Sequence, residues 1–230
     1  MIVSPKICNV CENELENPLF SSNLKNSLTS HGKIIKGKTD VYYCHNCTHI
    51  QTKELADINE FYDKNYRLLI RSDEEDQVYN VDNNEKIFRY DHQVKTLINL
   101  VKLPEQANIL DYGCGKATTI KKFAEIKTNI TPFVFDVSDI YVPFWKKFIK
   151  NTNMATYEIN VNWFNKMDLV TSFFSLEHVN SPLKMLKNIY KLLKPNGFFY
   201  CIVPDITKNI ADFIVIDHIN HFTEYSLSKL

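Results

Sequence analysis

The sequence predicts an α/β fold, a doubly wound and mostly parallel β-sheet that follows a small N-terminal zinc-binding lobe. Two C-x-x-C pairs lie in the first fifth of the chain. After Pro104, short apolar runs alternate with amphipathic stretches of helical length, which is the pattern of βαβ crossovers and a parallel sheet. The predicted zinc lobe, helical connector or lid, and α/β domain occupy residues 1–56, 57–103 and 104–230.

The composition is that of a globular protein without a bias toward charged partners. The 230 residues are 44% apolar, and 27 basic side chains balance 27 acidic ones. Proteins that bind nucleic acid or anionic membranes usually carry a basic excess, so neither is the expected partner. No apolar run reaches the roughly 18 residues that span a bilayer, and the N-terminus lacks a secretory signal. We expect a cytoplasmic protein whose cysteines are metal ligands or buried thiols.

The two cysteine pairs predict a structural zinc site. Each C-x-x-C turn points two sulfurs at one centre, and two such turns supply the four soft ligands of tetrahedral Zn²⁺. The set is closed, with no position for water, which favours a structural ion over a catalytic one. Four free thiols on a small domain are the alternative interpretation. The predicted ligands are Cys8, Cys11, Cys44 and Cys47.

A glycine turn follows the first predicted strand of the α/β domain. The segment reads I-L-D-Y-G-C-G-K-A and places Asp111 at the strand end, then Gly113 and Gly115 before a helix. A polar cofactor can approach backbone amides at such a turn only where side chains are absent. About twenty residues further on, Asp136 ends the second predicted strand, where a carboxylate is suited to bind a ribose diol.

These residues resemble the class I S-adenosylmethionine-dependent methyltransferases. The family's first motif is acidic-x-Gly-x-Gly-x-Gly, and Ala117 stands at its third glycine. A nicotinamide-type G-x-G-x-x-G fits less well, because its third glycine would fall at Thr118. The segments 175–179 (SLEHV) and 193–198 (LKPNGF) resemble the LEHV and LKPGG stretches of the family. The resemblance covers about 87–204 and implies a Rossmann-like fold that binds S-adenosyl-L-methionine.

Carried over position by position, the resemblance implies a set of cofactor-binding residues. They are Asp111, Gly113, Gly115, Ala117, Asp136, Asn160 and Phe173. The first four would wrap the methionine part of the cofactor, Asp136 would take the ribose hydroxyls, and Asn160 would flank the adenine. Phe173 would end strand four below the cofactor, and a plain core role for this ring stays open.

A second resemblance concerns the acceptor. The segment 216–223, I-D-H-I-N-H-F-T, looks like a stretch of bacterial sugar-modifying methyltransferases, several of which also begin with paired C-x-x-C knuckles. In those relatives the acidic–His pair and the histidine after strand four line the acceptor site, which implies catalytic roles for His178, Asp217 and His218. Histidine changes charge near neutral pH and is suited to act as a general base. A structural role for His178, and a metal site of Asp217, His218 and His221, remain alternatives.

The resemblance therefore implies an S-adenosylmethionine-dependent methyltransferase that acts on a small polar acceptor, expected to be a nucleotide-linked sugar or another surface-glycan precursor. The alternatives are an RNA methyltransferase that holds RNA with its zinc lobe and a non-catalytic zinc-ribbon interaction module. The family fold has seven strands, yet only 26 residues follow Pro204, so we expect a C-terminally shortened sheet without the last two strands. We expect a partner chain, as in a homodimer, or another segment of the chain to cover the open edge.

Overall fold

The structure is a computed structural model that describes residues 7–52, 61–62, 66, 71–72 and 76–230. Most of the predicted connector before residue 76 lies outside these described residues. Within them, the helices are α1 (Arg89–Leu100), α2 (Thr118–Ile126), α3 (Val142–Trp145), α4 (Pro182–Leu192) and α5 (Glu224–Leu227). The strands are β1 (Phe20–Ser21), β2 (Asn26–Leu28), β3 (Ile34–Lys36), β4 (Asp40–Tyr43), β5 (Ile50–Thr52), β6 (Val78–Asp82), β7 (Glu85–Phe88), β8 (Ala107–Tyr112), β9 (Ile130–Asp136), β10 (Met154–Thr156), β11 (Met167–Phe173), β12 (Leu193–Ile202) and β13 (Asn220–His221).

The chain folds as two compact units. Unit one consists of Met1–Phe61, Phe174–Asn188 and Cys201–Leu230, and unit two consists of Tyr62–Phe173 and Ile189–Tyr200. The residues that follow β12 therefore share a unit with the N-terminal lobe. The three-part division at residues 1–56, 57–103 and 104–230 stays a prediction.

A five-stranded sheet organises unit two, in the order β10-β9-β8-β11-β12. The pairings of β10 with β9, β9 with β8 and β8 with β11 are all parallel. Leu110 at the centre of the sheet lies between Phe133 and Val170. Strands that are buried on both faces read as continuous apolar runs, which is why the sequence predicted them, and the predicted mostly parallel α/β fold is confirmed.

The helices of unit two bury one apolar stripe each. Val94 and Leu97 on α1, and Ile120 and Phe123 on α2, are at most 2% exposed and belong to the core cluster that contains Ile109. In each helix the two residues are three positions apart, so they lie on the same face. This packing holds α2, the helix that follows the glycine turn, in place.

Residues before α1 differ from the helical pattern that the sequence indicated for the connector. They form an antiparallel hairpin of β6 and β7, and α1 begins at Arg89. At the turn, Asn83 and Asn84 have φ of 46° and 66°. Asparagine tolerates this left-handed region, and two such residues in succession make the type I′ turn that two-residue hairpin loops favour.

An antiparallel sheet organises unit one, in the order β1-β4-β5-β13. Its last strand comes from the end of the chain, with Asn220 opposite Gln51 and His221 opposite Ile50. The hairpin of β2 and β3 joins the same C-terminal segment, because the Ile216 amide donates to the Leu28 carbonyl at 2.9 Å. No helix in the described part of the chain is long and apolar enough to cross a membrane.

Candidate functional site

The structure brings the four predicted zinc ligands together in unit one. The sulfurs of Cys8 and Cys47 are 3.5 Å apart, and those of Cys11 and Cys44 are 3.4 Å apart. All four lie within 4.8 Å of one another. Tetrahedral Zn²⁺ with Zn–S bonds of about 2.3 Å places its sulfurs about 3.8 Å apart. The cluster therefore fits one zinc ion.

The two knuckles repeat the same backbone geometry. The residue after each second cysteine is left-handed, with φ of 61° at Glu12 and 59° at Thr48. The Glu12 amide donates to the Cys8 carbonyl at 3.0 Å, and the Thr48 amide donates to the Cys44 carbonyl at 2.8 Å. Each turn thereby directs both of its sulfurs to one point, as the C-x-x-C spacing predicts.

The glycine turn of unit two is a run of left-handed residues. Gly113, Gly115 and Ala117 have φ of 75°, 52° and 63°. A Cβ built on Gly115 would meet no neighbouring atom nearer than Tyr141 Cζ, at 3.9 Å, so the turn is bare of packing at this position. Ala117, which stands at the position of the motif's third glycine, adopts the left-handed conformation and precedes the first residue of α2. For a non-glycine residue this conformation costs roughly 1–2 kcal/mol.

Two buried carboxylates lie at the strand ends beside this turn. Asp111 is 3% exposed and accepts from Thr171 Oγ1 at 2.8 Å. Asp136 is 8% exposed and accepts from the amides of Gly115 at 2.8 Å and Ser138 at 3.2 Å. Burial raises the pKa of Asp111 to about 7, with a further contribution from Asp136. Burial also raises the pKa of Asp136 to about 6.

This donor set suits S-adenosyl-L-methionine. Buried carboxylates are costly unless a positive charge or hydrogen-bond donors compensate them. The cofactor carries a sulfonium, an ammonium group and two ribose hydroxyls, so it offers both kinds of compensation. The bare backbone at Gly115 and the raised pKa values of Asp111 and Asp136 are therefore consistent with such a ligand.

The other two predicted cofactor residues have local contacts. Asn160 precedes the short helix Val161–Trp163, and its side-chain oxygen accepts from the Asn162 amide at 3.0 Å. Phe173 is the last residue of β11, and its ring meets that of Tyr200 edge-on at 6.0 Å. Their roles toward the cofactor stay predictions.

A histidine cluster forms in unit one. The rings of His178 and His218 meet edge-on at 4.6 Å, and one candidate ligand atom from each of Glu177, His178 and His218 lies within 4.8 Å of the others. Asp217 is next to His218 in sequence, but its carboxylate accepts from Ser30, from the amide at 2.7 Å and from the hydroxyl at 2.6 Å. Its backbone carbonyl is 2.9 Å from His178 Nδ1. Asp217 therefore contacts His178 through the main chain.

The hydrogen bonds of the cluster define the imidazole tautomers. A carbonyl can only accept, so His178 Nδ1 donates to Asp217 and the neutral ring carries its lone pair on Nε2. Burial lowers the pKa of His178 to about 4, and the neighbouring His218 contributes. His218 Nδ1 lies 2.8 Å from Asp212 Oδ1. Burial alone would lower the pKa of His218, but the hydrogen bond to Asp212 and the negative charges of Glu177, Asp212 and Asp217 together outweigh it and raise that pKa.

Two residues around the cluster, Asp212 and Asn220, had not been predicted. Asp212 holds His218 and also lies 3.4 Å from His221 Nδ1, whose ring is almost fully buried. Asn220 donates to the Val179 carbonyl at 2.6 Å and accepts from Asn9 in the first knuckle at 2.9 Å. Glu177 was visible in the SLEHV motif as the residue before His178. Asn220 carried no signal, because its partners Asn9 and Val179 are far away in sequence. Asp212 belonged to none of the motifs, although His218 is only six residues away.

The comparison with models of protein families identifies the class of protein to which the chain belongs. Residues 86–230, more than half of the chain, match a family model described as a methyltransferase domain. The chain belongs to this methyltransferase family. The predicted enzyme class is confirmed at this level. No curated protein matches the sequence.

Several solved structures are similar to this methyltransferase. One comes from Haloferax volcanii, in a complex between the Trm112 methyltransferase activator and a protein assigned as a methyltransferase. The matching chain is 19% identical and has a TM-score of 0.46, and the match covers 57% of this chain and 62% of that one. A protein from Methanococcus maripaludis, assigned as S-adenosyl-L-methionine-dependent, is 18% identical, with a TM-score of 0.42 over 53% and 64%. A third, from Bacillus halodurans, is 16% identical, with a TM-score of 0.42 over 53% and 58%. The chain thus spans less than two thirds of each.

Proposed function

We propose that the protein is an S-adenosyl-L-methionine-dependent methyltransferase that acts on a small polar acceptor. The observation that carries this proposal is the pair of buried carboxylates, Asp111 and Asp136, beside the bare turn at 113–117. They lie at the carboxyl ends of two adjacent parallel strands, which is where open α/β sheets bind ligands. When bound, the cofactor supplies an electrophilic methyl group on its sulfonium.

In this proposal the two carboxylates have different tasks. Asp136 accepts from the ribose hydroxyls, while the Gly115 and Ser138 amides keep it in position. Asp111 provides negative charge near the positive methionine part, and its contact with Thr171 keeps the carboxylate in one orientation. Both tasks require the ionised form, so the raised pKa values make cofactor binding depend on pH.

The zinc lobe has a structural role in this proposal. One Zn²⁺ ion bound by the four cysteines would join the two knuckles, which flank a sheet of very short strands. A lobe of this size buries too little apolar surface to be stable alone, and a structural zinc ion supplies folding free energy directly. The ion would thereby also support β13, because Asn220 contacts the first knuckle through Asn9.

The histidine cluster is proposed to serve the acceptor. In the ion-free cluster, the lone pair on His178 Nε2 or His218 Nε2 can take the proton of an acceptor hydroxyl. Asp217 acts as a positioning residue, because its carbonyl orients His178 and its carboxylate is bound by Ser30. A nucleotide-linked sugar or another glycan precursor is the proposed acceptor class. The resemblance to sugar-modifying methyltransferases and the balance of 27 basic and 27 acidic residues support this choice over nucleic acid.

The test is a transfer assay with methyl-labelled cofactor and pooled sugar nucleotides. We expect His178→Gln and His218→Gln to bind the cofactor within about two-fold of the wild type and to lose about 10²–10⁴-fold in transfer rate, the usual contribution of a general base. His92→Gln is the matched control, since His92 is exposed on α1. Full turnover in both cluster variants would contradict the histidine role, and no labelled product from any pool would contradict the acceptor class.

A further inference from the structure

The histidine cluster has the composition of a metal site distinct from the four cysteines. Two imidazoles and one carboxylate, from His178, His218 and Glu177, place one candidate ligand atom each within 4.8 Å of the others. Glu177 is 1% exposed and His218 is 8% exposed. We propose that these three side chains bind a divalent transition-metal ion, in addition to the zinc of the cysteine site.

The outer contacts of the two imidazoles support this proposal. His178 Nδ1 donates to the Asp217 carbonyl at 2.9 Å, and His218 Nδ1 lies 2.8 Å from a carboxylate oxygen of Asp212. Metal-binding histidines almost always direct their second ring nitrogen to a carbonyl or a carboxylate, which fixes the tautomer and raises the basicity of the ligating nitrogen. Both rings of the cluster have this arrangement, which assigns Nε2 as the ligand in each.

The distances allow an ion after side-chain rotation. Three ligands bound at about 2.1 Å from one ion lie about 3.4–3.6 Å apart. Atoms within 4.8 Å of each other therefore need to approach by at most about 1.4 Å, which side-chain rotation provides. The buried carboxylates of Glu177 and Asp212 place negative charge around the cluster, and this charge offsets that of a divalent cation.

The ligand types indicate the class of ion. Imidazole nitrogens favour Zn²⁺, Fe²⁺ or Co²⁺, whereas Mg²⁺ and Ca²⁺ prefer oxygen ligands throughout. Three protein ligands leave coordination positions open, unlike the closed cysteine site. An ion here can therefore bind an oxygen atom of a further ligand.

The backbone around the cluster is held by the sheet of the zinc lobe. Thr52 Oγ1 on β5 donates to the His218 carbonyl at 2.8 Å. Asn220 on β13 donates to the Val179 carbonyl at 2.6 Å, directly after the segment that carries Glu177 and His178. Ligands supported in this way by regular structure and hydrogen bonds are preorganised for an ion.

The ion refines the acceptor side of the proposed function, but its binding does not rest on methyl transfer. In the loaded protein both Nε2 atoms hold the ion, so the general-base role proposed for the two imidazoles applies to the protein without the second ion. Metal content and methyl transfer are therefore measured separately. A protein that transfers the methyl group but binds only the cysteine ion after Zn²⁺ loading would overturn the inference alone, and two ions without transfer would contradict the proposed function alone.

The experiment measures bound metal in the full-length protein after Zn²⁺ loading and dialysis. We expect two ions per chain in the wild type and in His92→Gln, and one ion in His218→Gln and Glu177→Gln. Retention of the cysteine ion and of cofactor binding shows that these variants have folded. Asp212→Asn should keep the second ion but weaken its affinity about 10- to 100-fold, the usual effect of an outer-contact change. A wild type with fewer than two ions, or a His218→Gln variant that keeps two, would overturn the proposal.

Discussion

The glycine turn of unit two and the histidine cluster of unit one are assembled in different ways. The turn and its two carboxylates come from one continuous stretch, residues 111–136. The cluster combines Glu177 and His178 with His218, and Asp212 and the lobe residue Ser30 add contacts from two further segments. The turn therefore carries its own local signature, whereas the cluster depends on the fold of the zinc lobe.

The two regions also differ in charge compensation. At the turn, Asp111 and Asp136 are both acidic, and burial raises the pKa of each. In the cluster, the hydrogen bond and charge of His218 and the proximity of His221 together outweigh burial and lower the pKa of Asp212. The turn is thus suited to receive positive charge from a ligand, whereas Asp212 already has His218 as a hydrogen-bond partner.

Loss of the zinc ion proposed for the cysteine site should affect the two regions most differently. Structural zinc sites contribute on the order of 10 kcal/mol to folding, so Cys44→Ser should unfold the lobe and release β13. Hydrogen exchange should show lost amide protection in β4, β5 and β13, with β8 and β11 still protected. Cys201→Ser is the control, because Cys201 is outside the four-sulfur cluster. Unchanged protection of β13 in Cys44→Ser would show that the zinc lobe does not hold the cluster.

Acidification should weaken cofactor binding at the turn. Because the pKa values of Asp111 and Asp136 are raised to about 7 and about 6, both groups are ionised at pH 8 and take up protons as the pH falls through this range. We expect the affinity for S-adenosyl-L-methionine to fall at least about 10-fold from pH 8 to pH 5.5, since one pKa unit corresponds to about 1.4 kcal/mol. Calorimetric titration at several pH values measures this change.

The free protein should show the opposite pH trend. A carboxyl group whose pKa is higher in the folded than in the unfolded state stabilises the fold below its unfolded pKa, and this contribution is lost as the pH rises through the folded value. The melting temperature of ligand-free protein should therefore fall between pH 5 and pH 8. Asp111→Asn should flatten the dependence of the melting temperature on pH. Thr171→Val removes only the hydrogen-bond donor to Asp111, so the melting temperature of this variant should still fall with rising pH. An identical dependence of melting temperature on pH in the wild type and in Asp111→Asn would contradict the raised pKa of Asp111 in the folded protein.

Two matched substitutions, Gly37→Ala and Gly115→Ala, should have the smallest effects, one on stability and the other on cofactor affinity. A Cβ on Gly37 would approach Ile216 Cδ1 to 2.6 Å, and Ile216 is 2% exposed. Overpacking of this kind costs about 1–3 kcal/mol, so Gly37→Ala should lower the stability of unit one. Gly115→Ala meets only the strain of a φ of 52°, and its main effect should be on cofactor affinity. Chemical unfolding measures the stability of each variant, and titration with S-adenosyl-L-methionine measures its cofactor affinity. A loss of cofactor affinity in Gly37→Ala would contradict the separate roles of the two glycines.

The sequence predicted the parts of the molecule whose partners are near in sequence. The Asp111–Ala117 turn lies between β8 and α2 as expected, because left-handed residues and a strand-end carboxylate form a local pattern. Each cysteine knuckle is also a complete local turn. The two knuckles lie in distant segments, with Cys8 and Cys47 39 residues apart, and their meeting was predicted because tetrahedral zinc needs four ligands. The hairpin around Asn83 and Asn84 also had a local signal, the two adjacent asparagines at its turn. The helical interpretation of the connector did not use this signal.

Long-range pairing explains what the sequence did not predict. Strand β13 has only two residues, Asn220 and His221, which is too short for any hydrophobic period. Its pairing with β5 depends on side-chain contacts such as Asn220 with Asn9. The link between Asp217 and Ser30 spans most of the chain. Such contacts form only after the segments have folded together, so no pattern within one segment indicates them.

Calorimetric titration of the full-length protein with S-adenosyl-L-methionine at pH 8 tests the central claim most directly. We predict binding of one molecule per chain, at least about 10-fold weaker in Asp136→Ala, since a hydrogen bond to a charged group contributes about 1.5–3 kcal/mol. NADH should not compete. An absence of binding, equal affinity in Asp136→Ala, or preferential binding of NADH would contradict the assignment of the 113–117 turn to a methyl donor.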